Sequence, residues 1–225
     1  SRPLDSRPLD SRGGCAQDGA MSFFADEPDA DDDRDSRDTD GVPHRTPVWF
    51  QPPDDEYPVR RQLGHFLHSD ERLAVVLEHV DFFSTGMAIK TTWYLRRRRE
   101  LDREWAGLTH SVMGHFGREE PGAQRFALEL ADGSRVSTLT RTDLKPWDPA
   151  SGEPEGPLLQ LRPGGGGGGL HTYSGTTRLY LWPYPPAGTT TLAFAWPALG
   201  VPETTVALEA PSIDEVLPSI RHYWH

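Results

Sequence analysis

The sequence of 225 residues has little cysteine, little lysine and no long apolar run. Its single cysteine, Cys15, precedes Met21, so from Met21 onward the chain offers no disulfide, no thiol nucleophile and no thiolate metal site. Only Lys90 and Lys145 are lysines among 23 basic residues, which favours a GC-rich coding sequence over a binding preference. Apolar runs such as LAVVL are far shorter than the ~18 residues of a membrane span, and no secretory pattern is present. We expect a cytoplasmic protein without membrane contact.

Basic residues are outnumbered by acidic ones, 23 to 34, and the excess negative charge is concentrated in one segment. The formal net charge is −11, and residues 26–40 carry nine carboxylates against two arginines. A segment this acidic and this poor in aliphatic residues cannot offset chain entropy by burial, so residues 1–45 are predicted to be a disordered tail. Residues 1–20 contain the tandem repeat SRPLDSRPLDSR, which we interpret as translation from upstream of a start at Met21. Outside residues 26–40, acidic and basic residues are nearly equal in number, so a nucleic-acid-binding surface is not expected.

The remaining residues, 46–225, show the alternation of β-strands. In MAIKTTWYLR one face carries Met87, Ile89, Thr91, Trp93 and Leu95, which is period two. The pair Asp132-Gly133 predicts a tight hairpin, for which both residues would supply positive φ values. Short runs such as PLLQL, RLYLW and TTLAFAW follow, separated by Gly/Pro turns. The sequence therefore predicts an all-β domain, an antiparallel immunoglobulin-like β-sandwich.

Two stretches depart from this pattern. Apolar residues at helical spacing predict a partly helical insertion at about residues 97–122, although Gly107 and Gly114 weaken it. Near the C-terminus, Ser212 and Glu215 form a capping-box pattern, and Pro218 must end any helix that begins there. We expect a short C-terminal helix across an open end of the sandwich.

Six consecutive glycines, residues 164–169, raise the question of a phosphate loop. Such a loop requires a lysine and a hydroxyl after its last glycine, whereas Leu170 and His171 follow here. Strand-like runs flank the glycines, so no helix N-terminus is available to hold a phosphate. We expect a mobile glycine-rich hairpin loop with several positive φ values and no nucleotide.

Three groups of residues are candidates for a site. His65, His68 and Glu71 have metal-ligand spacing on a helix but diverge on a strand, and His79 and Asp81 share one face of a strand. Trp182, Tyr184 and Trp196, together with Trp147, stand beside prolines in turns, where they form either plugs of the sandwich or platforms for a sugar or a proline-rich peptide. Four consecutive arginines form either a solvated strand end or a dock for acidic peptides, including the chain's own tail: Arg96, Arg97, Arg98 and Arg99.

Several turn motifs occur in a fixed order. They are the glycine run, WPYPPAG at 182–188, WPALGVPET at 196–204 and the hairpin FALELADG at 126–133. In this combination the chain resembles a group of uncharacterised proteins from high-GC actinobacteria. The resemblance covers most of residues 46–225 and implies no activity.

No nucleophile elbow, phosphate loop or cupin-type metal set is present, so we expect no cofactor and no enzyme. The favoured interpretation is a non-catalytic module that binds a protein partner whose identity the sequence does not give. The alternative is a binder of small molecules or carbohydrates, or an enzyme, that uses the Trp-Pro turns or the His/Glu cluster. Oligomeric state is not encoded in any motif.

Overall fold

The computed structural model of this chain describes residues 46–114, 122–139 and 153–224. The predicted disordered tail, residues 1–45, lies outside these ranges, as does Trp147. The described residues form these strands and helices: β1 (Glu56–Tyr57), β2 (Val59–Ser69), β3 (Leu73–Phe82), β4 (Met87–Arg96), α1 (Asp102–Gly114), β5 (Arg125–Glu129), β6 (Arg135–Ser137), β7 (Leu158–Gly168), β8 (Thr172–Trp182), β9 (Gly188–Trp196), β10 (Val201–Ala210), α2 (Ile213–Val216) and β11 (Arg221–His222).

The described strands pair antiparallel in three sheets. A five-stranded sheet has the order β2-β3-β4-β8-β7, a four-stranded sheet has the order β10-β9-β5-β6, and β1 pairs with β11. The two larger sheets pack face to face around one core cluster. This arrangement confirms the predicted all-β sandwich with a short C-terminal helix.

The core follows from the alternation of the strands. On β4 the predicted inner residues Met87, Ile89, Thr91, Trp93 and Leu95 are each at most 1% exposed. Trp93 of the five-stranded sheet contacts Trp196 of the four-stranded sheet edge to face, with ring centroids 5.6 Å apart. These two rings therefore join the layers at the centre of the sandwich.

A second, smaller apolar cluster lies on the outer face of the five-stranded sheet. Tyr180 and Trp182 are buried there against Ala88, and Trp49 packs on this cluster from the segment before β1. The Tyr180 hydroxyl donates to the carbonyl of Val48 (2.9 Å), which holds that segment across the sheet. One half of the outer face is thus covered, and the other half is open.

The expectation of a mobile glycine loop is wrong. Residues 164–168 continue β7 as its last part, and Gly166, Gly167 and Gly168 pair with Gly175, Ser174 and Tyr173 of β8. None of the glycines in this run has a positive φ. A glycine backbone makes the same ladder hydrogen bonds as any other residue, so pairing with β8 resumes at Gly166 after a register shift between Pro163 and Gly166. The chain turns only at residues 169–171, where the N–H of Gly169 donates to the carbonyl of Thr172 (2.9 Å).

The hairpin between β5 and β6 also differs in detail from the prediction. Only Gly133 has a positive φ, +83°, and Asp132 does not. The N–H of Gly133 donates to the carbonyl of Leu130, and the N–H of Leu130 donates to that of Ser134. This is a turn with one left-handed residue, the common three-residue alternative to a two-residue primed turn.

Both predicted helical regions contain helices. α1 falls inside the expected insertion, and its apolar face buries Trp105 and Val112 in the core. α2 is a single turn that buries Val216, and it ends before Pro218 as expected. The side chain of Ser212 makes no capping hydrogen bond, so the capping box of the sequence is not formed.

Candidate functional site

The structure does not bring His65, His68 and Glu71 together. Both histidines lie on β2, whose pairing with β3 is irregular at Leu67, and Glu71 lies in the following turn. The Nε2 atom of His68 is 3.0 Å from a carboxylate oxygen of Asp70, and Glu71 forms an ion pair with Arg98. Within the described ranges no group of three or more His, Cys, Asp or Glu side chains is placed to hold a metal ion.

The aromatic residues of the Trp-Pro turns are mostly interior. Trp196 has no exposed surface and Trp182 is 8% exposed. Tyr184 is half-buried, and its hydroxyl donates to the carbonyl of Pro211 (3.0 Å). Burial raises the pKa of Tyr184 to about 12, so this hydroxyl stays protonated as a donor. Of the two alternatives from the sequence, these positions support plugs and not platforms.

The arginine cluster is partly engaged in local contacts. Arg97 donates to the carbonyls of Glu100 and Leu170 and pairs with Asp102 at 2.7 Å, which ties β4 to α1 and to the turn after β7. Arg98 pairs with Glu71. Arg96 and Arg99 are exposed and have no ion pair to another described residue. Two of the four arginines therefore hold neighbouring segments together at one end of the sheet, and the other two are exposed.

A second cationic group, absent from the sequence-based predictions, crosses the outer face of the five-stranded sheet. Strand register places Lys90 opposite Arg178 and Arg178 opposite Arg162. Residues directly opposite on neighbouring strands have Cβ atoms about 4.5–5.5 Å apart, and like charges in such positions repel. We call Lys90, Arg178 and Arg162 the cationic row.

Two members of the cationic row are held in position by neighbours. The Nζ atom of Lys90 lies 2.8 Å from a carboxylate oxygen of Glu78. Arg162 donates to the carbonyl of Phe50 (2.8 Å) and stacks 4.3 Å from the centre of the Phe50 ring. The middle member, Arg178, is exposed and has no ion pair to another described residue. It is the cation in the row that is available to an anion.

His79 and Asp81 extend this polar surface, and their predicted shared face is confirmed. Both side chains are buried, with Nε2 of His79 3.5 Å from a carboxylate oxygen of Asp81. Asp81 in turn accepts two hydrogen bonds from Arg60, at 2.7 and 2.9 Å. Burial lowers the pKa of His79, Arg60 and Lys90 lower it further, and Asp81 opposes them. The His79 imidazole is thus held neutral beside the Asp81 carboxylate, which already accepts two hydrogen bonds from Arg60.

A depression of about 360 Å³ lies between the cationic row and the segment that crosses the sheet. Arg60, Arg162 and Arg178 line it together with residues 51–54 of that segment. Three carboxylates line it as well: Glu56 accepts from the backbone N–H of Ser84 (2.9 Å), Asp81 is bound by Arg60, and the exposed Asp54 accepts from the side-chain amide of Gln51 (2.9 Å). An anionic group that enters would find Arg178 free of any carboxylate among the described residues.

The cationic row ends at β7, which is the edge strand of its sheet. Among the described residues no strand pairs with the far side of β7. Residues 165–168 are exposed glycines, so no side chain shields that side. Natural sheets often limit pairing at such edges with prolines or bulges, and β7 has both an exposed proline, Pro163, and a register shift between Pro163 and Gly166. The open part of the edge is therefore the glycine stretch that follows them.

None of the helices in the described part of the chain is long and apolar enough to cross a membrane. Comparisons with family models, with curated proteins and with solved structures gave no match to this chain. The resemblance to the actinobacterial group therefore stays a prediction.

Proposed function

We propose that this domain is a non-catalytic protein-interaction module that binds an extended, acidic segment of a partner protein. The segment would add to the sheet along β7 and place a carboxylate on the cationic row. Backbone pairing gives such strand addition its affinity, and side-chain contacts give it specificity. The immunoglobulin-like class and the cytoplasmic location expected from the sequence belong to the same proposal.

One observation carries this proposal: β7 contains both a member of the cationic row and an exposed glycine edge. Arg162 belongs to β7 and faces Arg178, and the exposed glycines begin three residues later in the same strand, at Gly165. A partner strand beside β7 would have one side chain directly across from Arg162, where a carboxylate is favoured. Beyond Pro163, the glycines leave their part of the edge open to backbone pairing and add no side chains that select against it.

The electrostatic half of the proposal is tested with two fluorescent ten-residue peptides. One alternates glutamate with valine, and the other has glutamine in place of glutamate. We expect the glutamate peptide to bind more tightly, and Arg178→Gln to weaken it about fivefold, since a partly exposed ion pair contributes up to about 1 kcal/mol. Arg103→Gln, an exposed arginine on α1, is the matched control and should leave binding unchanged. Equal affinity for both peptides would contradict the proposal.

The backbone half is tested with proline at two adjacent positions. Neighbouring residues of a strand point their N–H groups to opposite sides. Of Gly166→Pro and Gly167→Pro, one variant therefore loses a donor on the free side only, and the other disrupts pairing with β8. The variant that keeps the wild-type thermal midpoint should lose peptide binding. Unchanged binding in that variant would show that β7 is not the docking edge.

A further inference from the structure

A second cavity lies on the opposite side of the sandwich from β7. It opens between β2 and β10, the two edge strands that flank the gap between the sheets and do not pair with each other. Its volume is about 190 Å³, and its lining comes from both sheets. The cavity therefore reaches the interior of the sandwich at an unpaired side.

The floor of this cavity is apolar apart from one group. Val80, Phe82, Met87 and Leu208 line it and are each at most 6% exposed. Thr190 lies among them with no exposed surface, and its hydroxyl has no hydrogen-bond partner among the described residues. A buried hydroxyl without a partner is costly, so an oxygen atom placed beside it would be favourable.

The rim carries one cation. Arg61 is exposed, donates to the backbone carbonyl of Glu209 (2.6 Å) and lies 5.8 Å over the Phe82 ring. Glu209 also lines the cavity, and its carboxylate accepts from the Thr189 hydroxyl (2.7 Å) and forms no ion pair with the guanidinium. Arg61 lines the cavity and forms no ion pair with another described residue.

We propose that this cavity binds an aliphatic monocarboxylate of about six to eight carbons. Its carboxylate pairs with Arg61 at the rim, and its chain lies on the apolar floor. An apolar cavity of about 150 Å³ holds a six-carbon ring, which sets the length that 190 Å³ accepts. The Thr190 hydroxyl adds a preference for a ligand with a keto or hydroxyl oxygen far from the carboxylate. This site is distinct from the cationic row and does not depend on the function proposed above.

The experiment uses the full chain and four probes: octanoate, 7-oxooctanoate, octanol and dodecanoate. Binding is followed through ¹³C-methyl methionine signals, since Met87 lies on the floor and only three methionines are present. We expect octanoate to shift the signal that disappears in Met87→Leu, with a Kd below about 1 mM, and 7-oxooctanoate to bind more tightly. Octanol, which lacks the carboxylate, and dodecanoate, which exceeds the volume, should bind at least about fivefold more weakly.

Two variants separate the two polar contacts. Arg61→Gln should weaken octanoate about fivefold and leave octanol unchanged, with Arg103→Gln as the control. Thr190→Val keeps the shape of the side chain and should remove only the preference for 7-oxooctanoate. A Met87 signal that none of the probes moves would overturn the proposal. Equal affinities for octanoate and octanol in the wild type would also overturn it.

Discussion

Gly175 is the glycine on which the core depends, and Gly175→Ala tests that directly. A Cβ atom at this position would lie 2.8 Å from Cε2 of Trp93 and closer still to Cζ2. Ordinary contact begins at 3.4 Å, so Trp93 must move by at least 0.6 Å (3.4 − 2.8). It is held on one side by Tyr173 and on the other by Trp196, at centroid distances of 6.0 and 5.6 Å.

The expected cost follows from overpacking a rigid core. Extra atoms in a well-packed interior cost about 1–3 kcal/mol, and alanine recovers about 0.4–1 kcal/mol by restricting the unfolded chain. We expect Gly175→Ala to lower the free energy of unfolding by about 1–2 kcal/mol in urea titrations followed by tryptophan fluorescence. Gly165→Ala is the matched control: its Cβ meets no atom within 4 Å, and it should be neutral or slightly stabilising.

A double-mutant cycle identifies the cause. Trp93→Phe removes the atoms that the new Cβ would meet, so Gly175→Ala should cost at least about 1 kcal/mol less in that background. Equal stability of Gly175→Ala and Gly165→Ala would refute the reasoning, since it would mean that β8 shifts freely. Strict additivity in the cycle would refute the assignment of the clash to Trp93.

Two further predictions concern buried side chains. The folded pKa of His79 lies below its unfolded value, so its contribution to stability is complete above about pH 6.5 and is lost as the pH falls below that value. The free energy of unfolding should therefore decrease from pH 7 to 5.5 in the wild type and decrease less in His79→Gln; parallel curves would count against a buried neutral imidazole. Trp196→Ala should cost about 3–5 kcal/mol, because the side chain is fully buried against Trp93. A cost below about 1 kcal/mol would instead fit an exposed ligand platform.

The candidate site was only partly accessible to sequence reasoning. The alternation of MAIKTTWYLR placed Lys90 on the face away from the core, and the pair His79 and Asp81 was recognised on one face of its strand. Arg162 and Arg178 do not stand out in the sequence, because each is the only charged residue in its strand. Their signal is the register between strands that are far apart in sequence, and a single sequence does not specify it.

What the sequence determined by itself was local. Period two along the strands, the short C-terminal helix before Pro218 and the helical spacing around Trp105 follow from side-chain spacing and backbone chemistry within about ten residues. These features were sufficient to predict a two-layer β-sandwich with a partly helical insertion, because each element must bury its apolar face against another.

Tertiary structure decided what the local signals left open. The glycine run favours a turn when it is considered alone, yet pairing with β8 makes it the end of an edge strand. Trp182 and Trp196 suit either a plug or a platform, and the packing of the two sheets and of Trp49 buries them. The cationic row exists only because β4, β8 and β7 are neighbours in the sheet. The physical reason is the same each time: strand pairing and burial depend on contacts between distant segments, and their free energies exceed the local preferences of a few residues.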